Sequence, residues 1–150
     1  MYEQLYSKTG VRAIVGSGLL WAWYDCLFMS SFFPFDRGTG FMPEFAYLLI
    51  QLACTAFYTV VVTRSDWGAR LLANRWSVWG SGALGTLGSF ALVGSNALSG
   101  SFSTTLFFVG CLLCASFMAV MTLAWGAVYS TGGSITATPY VAGAFACAIV

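Results

Sequence analysis

One charged side chain lies inside a long apolar run of this 150-residue chain. Asp25 falls within the run 13–35. A carboxylate that deep in a bilayer is costly when ionised, so we expect it to face the interior of a helix bundle. If the next run forms an antiparallel helix, Gln51 reaches the same height, and Trp21 and Trp23 stand close to Asp25 in the sequence. The grouping has two interpretations. It is either a centre that binds a ligand or a proton, or a structural feature in which a buried hydrogen bond and bulky aromatic side chains only fix the packing of the helices.

Two cysteines form a second pattern with possible chemistry, Cys111-Leu-Leu-Cys114. The pair resembles that of membrane thiol–quinone oxidoreductases of the vitamin K epoxide reductase type. Such an enzyme exchanges electrons with a second, loop-borne cysteine pair by thiolate attack on a disulfide. The predicted loops contain no cysteine, so we expect Cys111 and Cys114 to be small packing residues. The redox enzyme is kept as the third alternative.

The absence of certain residue types excludes several kinds of cofactor site. The chain has no histidine, which disfavours histidine-ligated haem, the usual zinc sites and histidine proton relays. No lysine lies within an apolar run, so a Schiff-base chromophore has no attachment point. We therefore predict no metal, no cofactor and no enzyme activity.

The distribution of charge indicates the environment in which this protein lies. All of its six basic and five acidic residues lie between Glu3 and Arg75, charged residues make up only 7%, and residues 76–150 carry none. Mean hydropathy is +0.81, whereas a soluble domain is typically about one quarter charged. A net charge of +1 gives no basic surface for nucleic acid. The composition indicates a protein whose main partner is the lipid bilayer.

Apolar runs of about 20 residues predict membrane-spanning helices, because that length covers the hydrocarbon core. The predicted full spans are 13–35, 45–63, 76–98 and 105–129, and a partial fifth run covers 135–150. The predicted fold is an all-α integral membrane bundle in a single domain, 1–150. The fifth run is still apolar at Val150, so we expect further spans or a homo-oligomer to complete the bundle.

Basic residues predict the orientation of these spans. One predicted side of the membrane carries five of them: Lys8, Arg12, Arg64, Arg70 and Arg75. The other side has Arg37 alone. Because positively charged loops stay inside, we expect a multi-pass protein of the cell's inner (plasma) membrane with a cytoplasmic N-terminus.

Small residues recur at four-residue spacing in the third run: Ser77, Ser81, Gly85 and Ser89. Small residues at this spacing let helix backbones approach closely. We therefore predict a helix-packing face here, and a sliding surface in a transporter is the alternative.

The turn between the second and third runs contains Arg64, Asp66, Gly68 and Arg70. It partly resembles a charged motif that major-facilitator transporters carry in the same place, where it locks neighbouring helices. The spacing between Asp66 and Gly68 is shorter than in that motif and the flanking glycine is missing. A solvated basic turn explains the residues equally well.

Several stretches resemble the N-terminal, major-facilitator-like membrane half of bacterial LuxR-type regulators. They are Gly18-Leu-Leu-Trp21-Ala-Trp23, Phe33-Pro34, Trp79-Gly-Ser-Gly-Ala-Leu-Gly85 and Leu123-Ala-Trp-Gly-Ala-Val-Tyr129. The family often has an acidic residue where this chain has Ala127. The resemblance implies a signal-sensing membrane module that lacks its helix-turn-helix, so this segment should bind a small or membrane-soluble ligand and no DNA. The alternative is a major-facilitator-like or small oligomeric transporter.

Overall fold

A computed structural model describes residues 8–28, 43–64, 66–131, 141–142 and 144. Five helices contain nearly all of the described residues, and no strand occurs among them. They are α1 (Lys8–Phe28), α2 (Pro43–Thr63), α3 (Trp67–Ala73), α4 (Arg75–Ala97) and α5 (Ser101–Thr131). The predicted all-α class is confirmed.

The helices follow the apolar runs closely. α2, α4 and α5 begin within a few residues of the predicted starts at 45, 76 and 105. The short helix α3 lies in the segment that was predicted to be a turn. The predicted end of the first run at 35, its Pro34 and most of the fifth run, 135–150, lie outside the described residues.

One of the described helices is long and apolar enough to cross a bilayer. It covers Ser101–Ser130, with a mean hydropathy of 2.4 over its most apolar window. Phe45–Val61 is a shorter apolar helix by the same measure. α4 is less hydropathic because glycine and serine replace larger apolar residues along it. The structure thus establishes one candidate span, and a bundle of four belongs to the proposal made below.

Local signals explain how α4 is delimited. Asn74 is extended and separates α3 from α4, and its side-chain Oδ1 accepts a hydrogen bond from the Trp76 backbone N–H at 3.0 Å. Asparagine is a favoured residue at this capping position because it satisfies an otherwise unpaired N–H. At the other end, Gly100 adopts φ +82°, which only glycine adopts at little cost. Gly100 therefore lets the chain turn directly into α5.

Contacts within the chain divide it into two compact units. One contains residues 1–30 and 124–150, and the other contains residues 31–123. The larger unit includes α2, α3, α4 and most of α5, and the smaller includes α1 and the end of α5. The single domain expected from the sequence stays a prediction.

The core of the larger unit is the α4–α5 pair. The buried residues of α4 are Ser81, Gly85, Gly88, Leu92 and Ser95. They are spaced by four and three residues in alternation, which keeps them on one side of a helix. Ser103, Phe107, Gly110 and Cys114 repeat the pattern on α5 and are also buried. These two faces form a closely packed helical hairpin.

Two glycines bring the backbones of this hairpin together. A Cβ atom on Gly88 would lie 2.9 Å from the Cys114 backbone N and 3.0 Å from the Gly110 carbonyl O. A Cβ atom on Gly110 would lie 3.0 Å from the Leu92 backbone N. At the turn, the Ser103 hydroxyl donates to the Ser95 carbonyl at 2.7 Å. Close backbone approach of this kind is typical of small-residue packing between membrane helices.

α2 packs against α5 through one thiol and a set of rings. The Cys54 Sγ donates to the Ala115 carbonyl at 3.3 Å. Phe45 stacks on Phe107 with ring centroids 6.5 Å apart and meets Phe108 edge-on at 6.4 Å. α2 is thereby fixed along the hairpin at both its start and its middle.

The smaller unit has a polar contact between α1 and the end of α5. The Tyr129 hydroxyl hydrogen-bonds the Ser17 Oγ at 2.6 Å, and Ser17 is 1% exposed. Gly16 lies against the Trp125 ring, since a Cβ on it would come within 2.7 Å of that ring. Trp125 also stacks on Tyr129 at 6.3 Å. The hydrogen bond at Ser17 and the ring contact at Gly16 therefore join the two helices.

Candidate functional site

Asp25, the centre expected from the sequence, lies on an exposed face of α1. Its place within an apolar run predicted that this side chain faces the interior of a bundle. The buried positions of α1 include Ser17, Leu20, Tyr24 and Leu27, spaced by three and four residues. Asp25 follows Tyr24 by one residue and is thus rotated by about 100° from that face. The serine and the large apolar side chains occupy the inner face and leave the carboxylate outside it.

The residues grouped with Asp25 are distributed over both units. Gln51 is exposed and belongs to the unit of residues 31–123, whereas Asp25 belongs to the other unit. Trp21 and Trp23 are half-buried on α1, and Trp21 meets the buried Tyr24 ring edge-on at 6.2 Å. A ligand or proton site around Asp25 stays a prediction.

The four small residues of α4 that were predicted to form a packing face differ in how deeply they are buried. Ser81 and Gly85 are buried, while Ser77 and Ser89 are half-buried. Gly85 lies against the Phe117 side chain, since an added Cβ would come within 2.6 Å of that ring. The backbones of α4 and α5 also come close at Gly88, which the four-residue spacing from Ser77 to Ser89 does not include. A three-residue step in an otherwise four-residue spacing is the signal that identifies it.

Cys111 and Cys114 are free thiols packed inside the hairpin. Both are buried, and Cys114 has no exposed surface. The Cys114 Sγ would lie 2.7 Å from a Cβ on Gly88, and it shares a hydrogen bond with the Ser89 side chain. Thiol exchange needs access for an attacking sulfur, and this environment provides none. The geometry is that of small side chains filling a tight helix interface.

An open groove of about 500 Å³ lies where α2, α3, α4 and α5 come together. We call it the serine groove. Its lining consists of Phe57, Leu71, Trp76, Ser77, Gly80, Ser81, Leu84, Ser116 and Val120. Among the residues that the structure describes, no charged side chain lines it, so it is suited to an apolar molecule.

The hydroxyls of the serine groove determine what kind of polar group it can bind. The Ser81 Oγ donates to the Val78 carbonyl at 2.8 Å, and the Ser116 Oγ donates to the Leu112 carbonyl at 2.9 Å. Each hydroxyl has one proton and two acceptor lone pairs. Because the protons of Ser81 and Ser116 are already used within their own helices, these two oxygens remain acceptors. The groove therefore favours an apolar ligand that carries an O–H or N–H donor.

The segment that joins α2 to α4 carries the predicted basic turn. Arg64, Asp66 and Arg70 are exposed, and Gly68 is half-buried. Asp66 and Arg70 form an exposed ion pair at 3.7 Å, which contributes little to stability in water. Gly68 is packed against α2, since an added Cβ would meet the Val61 Cγ1 at 3.2 Å.

Comparison with protein-family models, with curated proteins and with solved structures finds no match for this chain. Among the described residues, no group of three or more histidine, cysteine, aspartate or glutamate side chains is placed to hold a metal ion. Function must therefore be inferred from the grooves and surfaces that the helices form.

Proposed function

We propose that the chain is a multi-pass membrane protein that binds a membrane-soluble signal molecule in the serine groove and has no catalytic role. Large apolar side chains project outward from α1, α2, α4 and α5 and support the membrane location. They include Leu19, Leu52, Trp79, Phe90 and Leu112, with Trp79 75% exposed and Phe90 71% exposed. Exposed large apolar side chains in this number are unfavourable in water and favourable against lipid. The span α5 and the charge-free residues 76–150 add to this support.

The serine groove is the observation that carries the ligand-binding proposal. It is open on one side, apolar over most of its wall, and provides hydroxyl acceptors at Ser81 and Ser116. An outward-facing groove in a membrane protein is reached by diffusion in the lipid phase. A molecule with an apolar body and one hydrogen-bond donor fits both the wall and the acceptors.

The resemblance to the membrane half of LuxR-type regulators supports a sensing role for this binding event. In such a role, ligand occupancy changes how α3 and α4 pack against each other. Leu71 and Trp76 belong to those two helices and both line the serine groove. Neither the transporter alternative nor the thiol oxidoreductase has a comparable supporting feature among the described residues.

A photo-crosslinking experiment with a matched pair of glycine variants tests this function. The probe is a long-chain alcohol that carries a diazirine, added to membranes that contain the full chain. Gly80 lines the serine groove, and neither Gly80 nor Gly82 has an atom within 4 Å of an added Cβ. Gly80→Leu should fold normally, fill the groove and reduce crosslinking several-fold.

Gly82→Leu is the control, since it adds the same side chain to the same helix but not to the residues that line the groove. It should keep the crosslinking of the unmodified chain. Equal crosslinking in Gly80→Leu and Gly82→Leu would refute ligand binding in the serine groove. Recovery of the chain from the soluble fraction of cells would refute the membrane location.

A further inference from the structure

Arginine and tryptophan side chains lie together at both ends of α3. Arg64 lies over the Trp67 ring at 5.7 Å, and Arg75 lies over the Trp76 ring at 5.5 Å. Both tryptophans are exposed. We call Arg64, Trp67, Arg70, Arg75 and Trp76 the arginine–tryptophan surface. Tryptophan prefers the boundary between lipid and water, so this surface is suited to the headgroup layer.

The charges of this surface are mostly uncompensated. Three arginines lie there, and Asp66 pairs with only one of them, Arg70. Neither Arg64 nor Arg75 forms an ion pair with any residue that the structure describes. Because each guanidinium offers several donors in a planar fork, the surface matches the oxygens of a phosphate group.

A second, smaller groove begins at this surface. It has a volume of about 370 Å³ and is lined by Phe57, Val60, Val61, Trp67, Arg70 and Leu71. Five of these six side chains are apolar, and Arg70 supplies the one charge. Trp67 belongs both to the groove wall and to the Arg64 contact. A positive rim is thus joined directly to an apolar groove between α2 and α3, which we call the α2–α3 groove.

We propose that the arginine–tryptophan surface and the α2–α3 groove together bind an anionic phospholipid. The phosphodiester lies on the arginine–tryptophan surface, and one acyl chain lies along the α2–α3 groove. Anionic lipid is attracted to basic residues near a membrane surface, and an acyl chain matches the apolar wall. This inference rests on the proposed membrane location, and it is independent of the ligand of the serine groove.

A soluble phosphate compound would use only the basic part of this site. It would engage the three arginines and leave the apolar wall of the α2–α3 groove and the exposed Trp67 in contact with water. A neutral phospholipid would use only the apolar part, since it fills the groove but brings no net charge to the guanidinium groups. Only a lipid with net negative charge uses the positive rim and the apolar groove together.

Lipid titration of the purified full chain in detergent tests the proposal. Phosphatidylglycerol and phosphatidylcholine with identical acyl chains are added, and bound lipid is measured by native mass spectrometry. Phosphatidylglycerol should bind at least about tenfold more tightly. Arg64→Gln and Arg75→Gln should each weaken phosphatidylglycerol binding about fivefold and leave phosphatidylcholine binding unchanged. Val60→Trp narrows the α2–α3 groove without a change of charge, so it should weaken both lipids equally.

Arg12→Gln is the control, because Arg12 is an exposed arginine of α1 in the other unit. It should leave the lipid preference intact. The proposal is overturned if phosphatidylcholine binds as tightly as phosphatidylglycerol, if Arg12→Gln has the same effect as Arg64→Gln, or if free glycerol phosphate competes as well as the lipid does. Failure of the membrane location would show in cell fractionation and not in this titration, so the two results are separable.

Discussion

Replacement of Gly88 by alanine tests the packing of the α4–α5 hairpin directly. The added Cβ would lie 2.7 Å from the Cys114 Sγ, 2.9 Å from the Cys114 backbone N and 3.0 Å from the Gly110 carbonyl O. Ordinary contact begins near 3.4 Å, so the two backbones must separate by about half an ångström. Two of the three obstructing atoms are backbone atoms, which cannot rotate away. The strain must therefore be relieved by movement of a whole helix.

The expected loss of stability in Gly88→Ala follows from the loss of contact along the hairpin. Overpacking of a well-packed interface costs roughly 1–3 kcal/mol, and a gap of 0.5–1 Å removes about a quarter to a half of the dispersion energy of each contact pair. Alanine also favours the helix over glycine by about 1 kcal/mol in water. Gly80→Ala has the same propensity effect and meets no atom within 4 Å. Gly88→Ala should therefore be less stable than Gly80→Ala by about 2 kcal/mol.

The assay is reversible unfolding in mixed detergent micelles, followed by near-ultraviolet circular dichroism. Both variants are compared with the unmodified chain under the same conditions. Gly110→Ala should resemble Gly88→Ala, because its Cβ would lie 3.0 Å from the Leu92 backbone N. If Gly88→Ala and Gly80→Ala unfold with equal free energies, the close approach of α4 and α5 is refuted.

Three further predictions use the same unfolding assay. Tyr129→Phe and Ser17→Ala should each lower the free energy of unfolding by about 1 kcal/mol, because the 2.6 Å hydrogen bond between the two side chains is lost. The double variant should lose less free energy of unfolding than the sum of the two single losses. Strictly additive losses would argue against the hydrogen bond. Ser103→Ala removes a buried 2.7 Å hydrogen bond across the hairpin and should lower the free energy of unfolding by about 1 kcal/mol. Thr105→Ala is the exposed control, because the Thr105 hydroxyl bonds within its own helix. It should change the free energy of unfolding by less than about 0.5 kcal/mol. Asp25→Asn should also stay within about 0.5 kcal/mol, since its side chain is exposed, and a large loss would place that carboxylate in a packed environment.

The positions of the helices could be predicted from the sequence because they depend on local properties. Continuous apolar runs without charge predict helices, and α2, α4 and α5 begin near the predicted residues. Asn74 and Gly100 are the kinds of residue that delimit helices. The short helix α3 was not predicted, because seven residues provide too few periods for a pattern to be recognised.

The contacts between helices could not be predicted to the same degree. A strict four-residue spacing, as from Ser77 to Ser89, rotates by about 40° per step around a helix and leaves any single face. The structure instead buries positions that alternate steps of four and three, which include Gly88 and Leu92. Which of these spacings is used depends on the partner helix and is not encoded in α4 alone.

The sequence by itself determined an all-helical, largely uncharged chain and predicted an apolar environment for it, because these properties are sums over residue types and short-range periodicity. The tertiary structure decided which side chains meet. It placed Asp25 on an exposed face and Gly88 against Gly110. It also formed the serine groove from four helices and joined the arginine–tryptophan surface to the α2–α3 groove. The physical reason is that grooves and close backbone approaches arise only where faces from distant segments pack together, and rotation of a helix by one residue moves a side chain by about 100°.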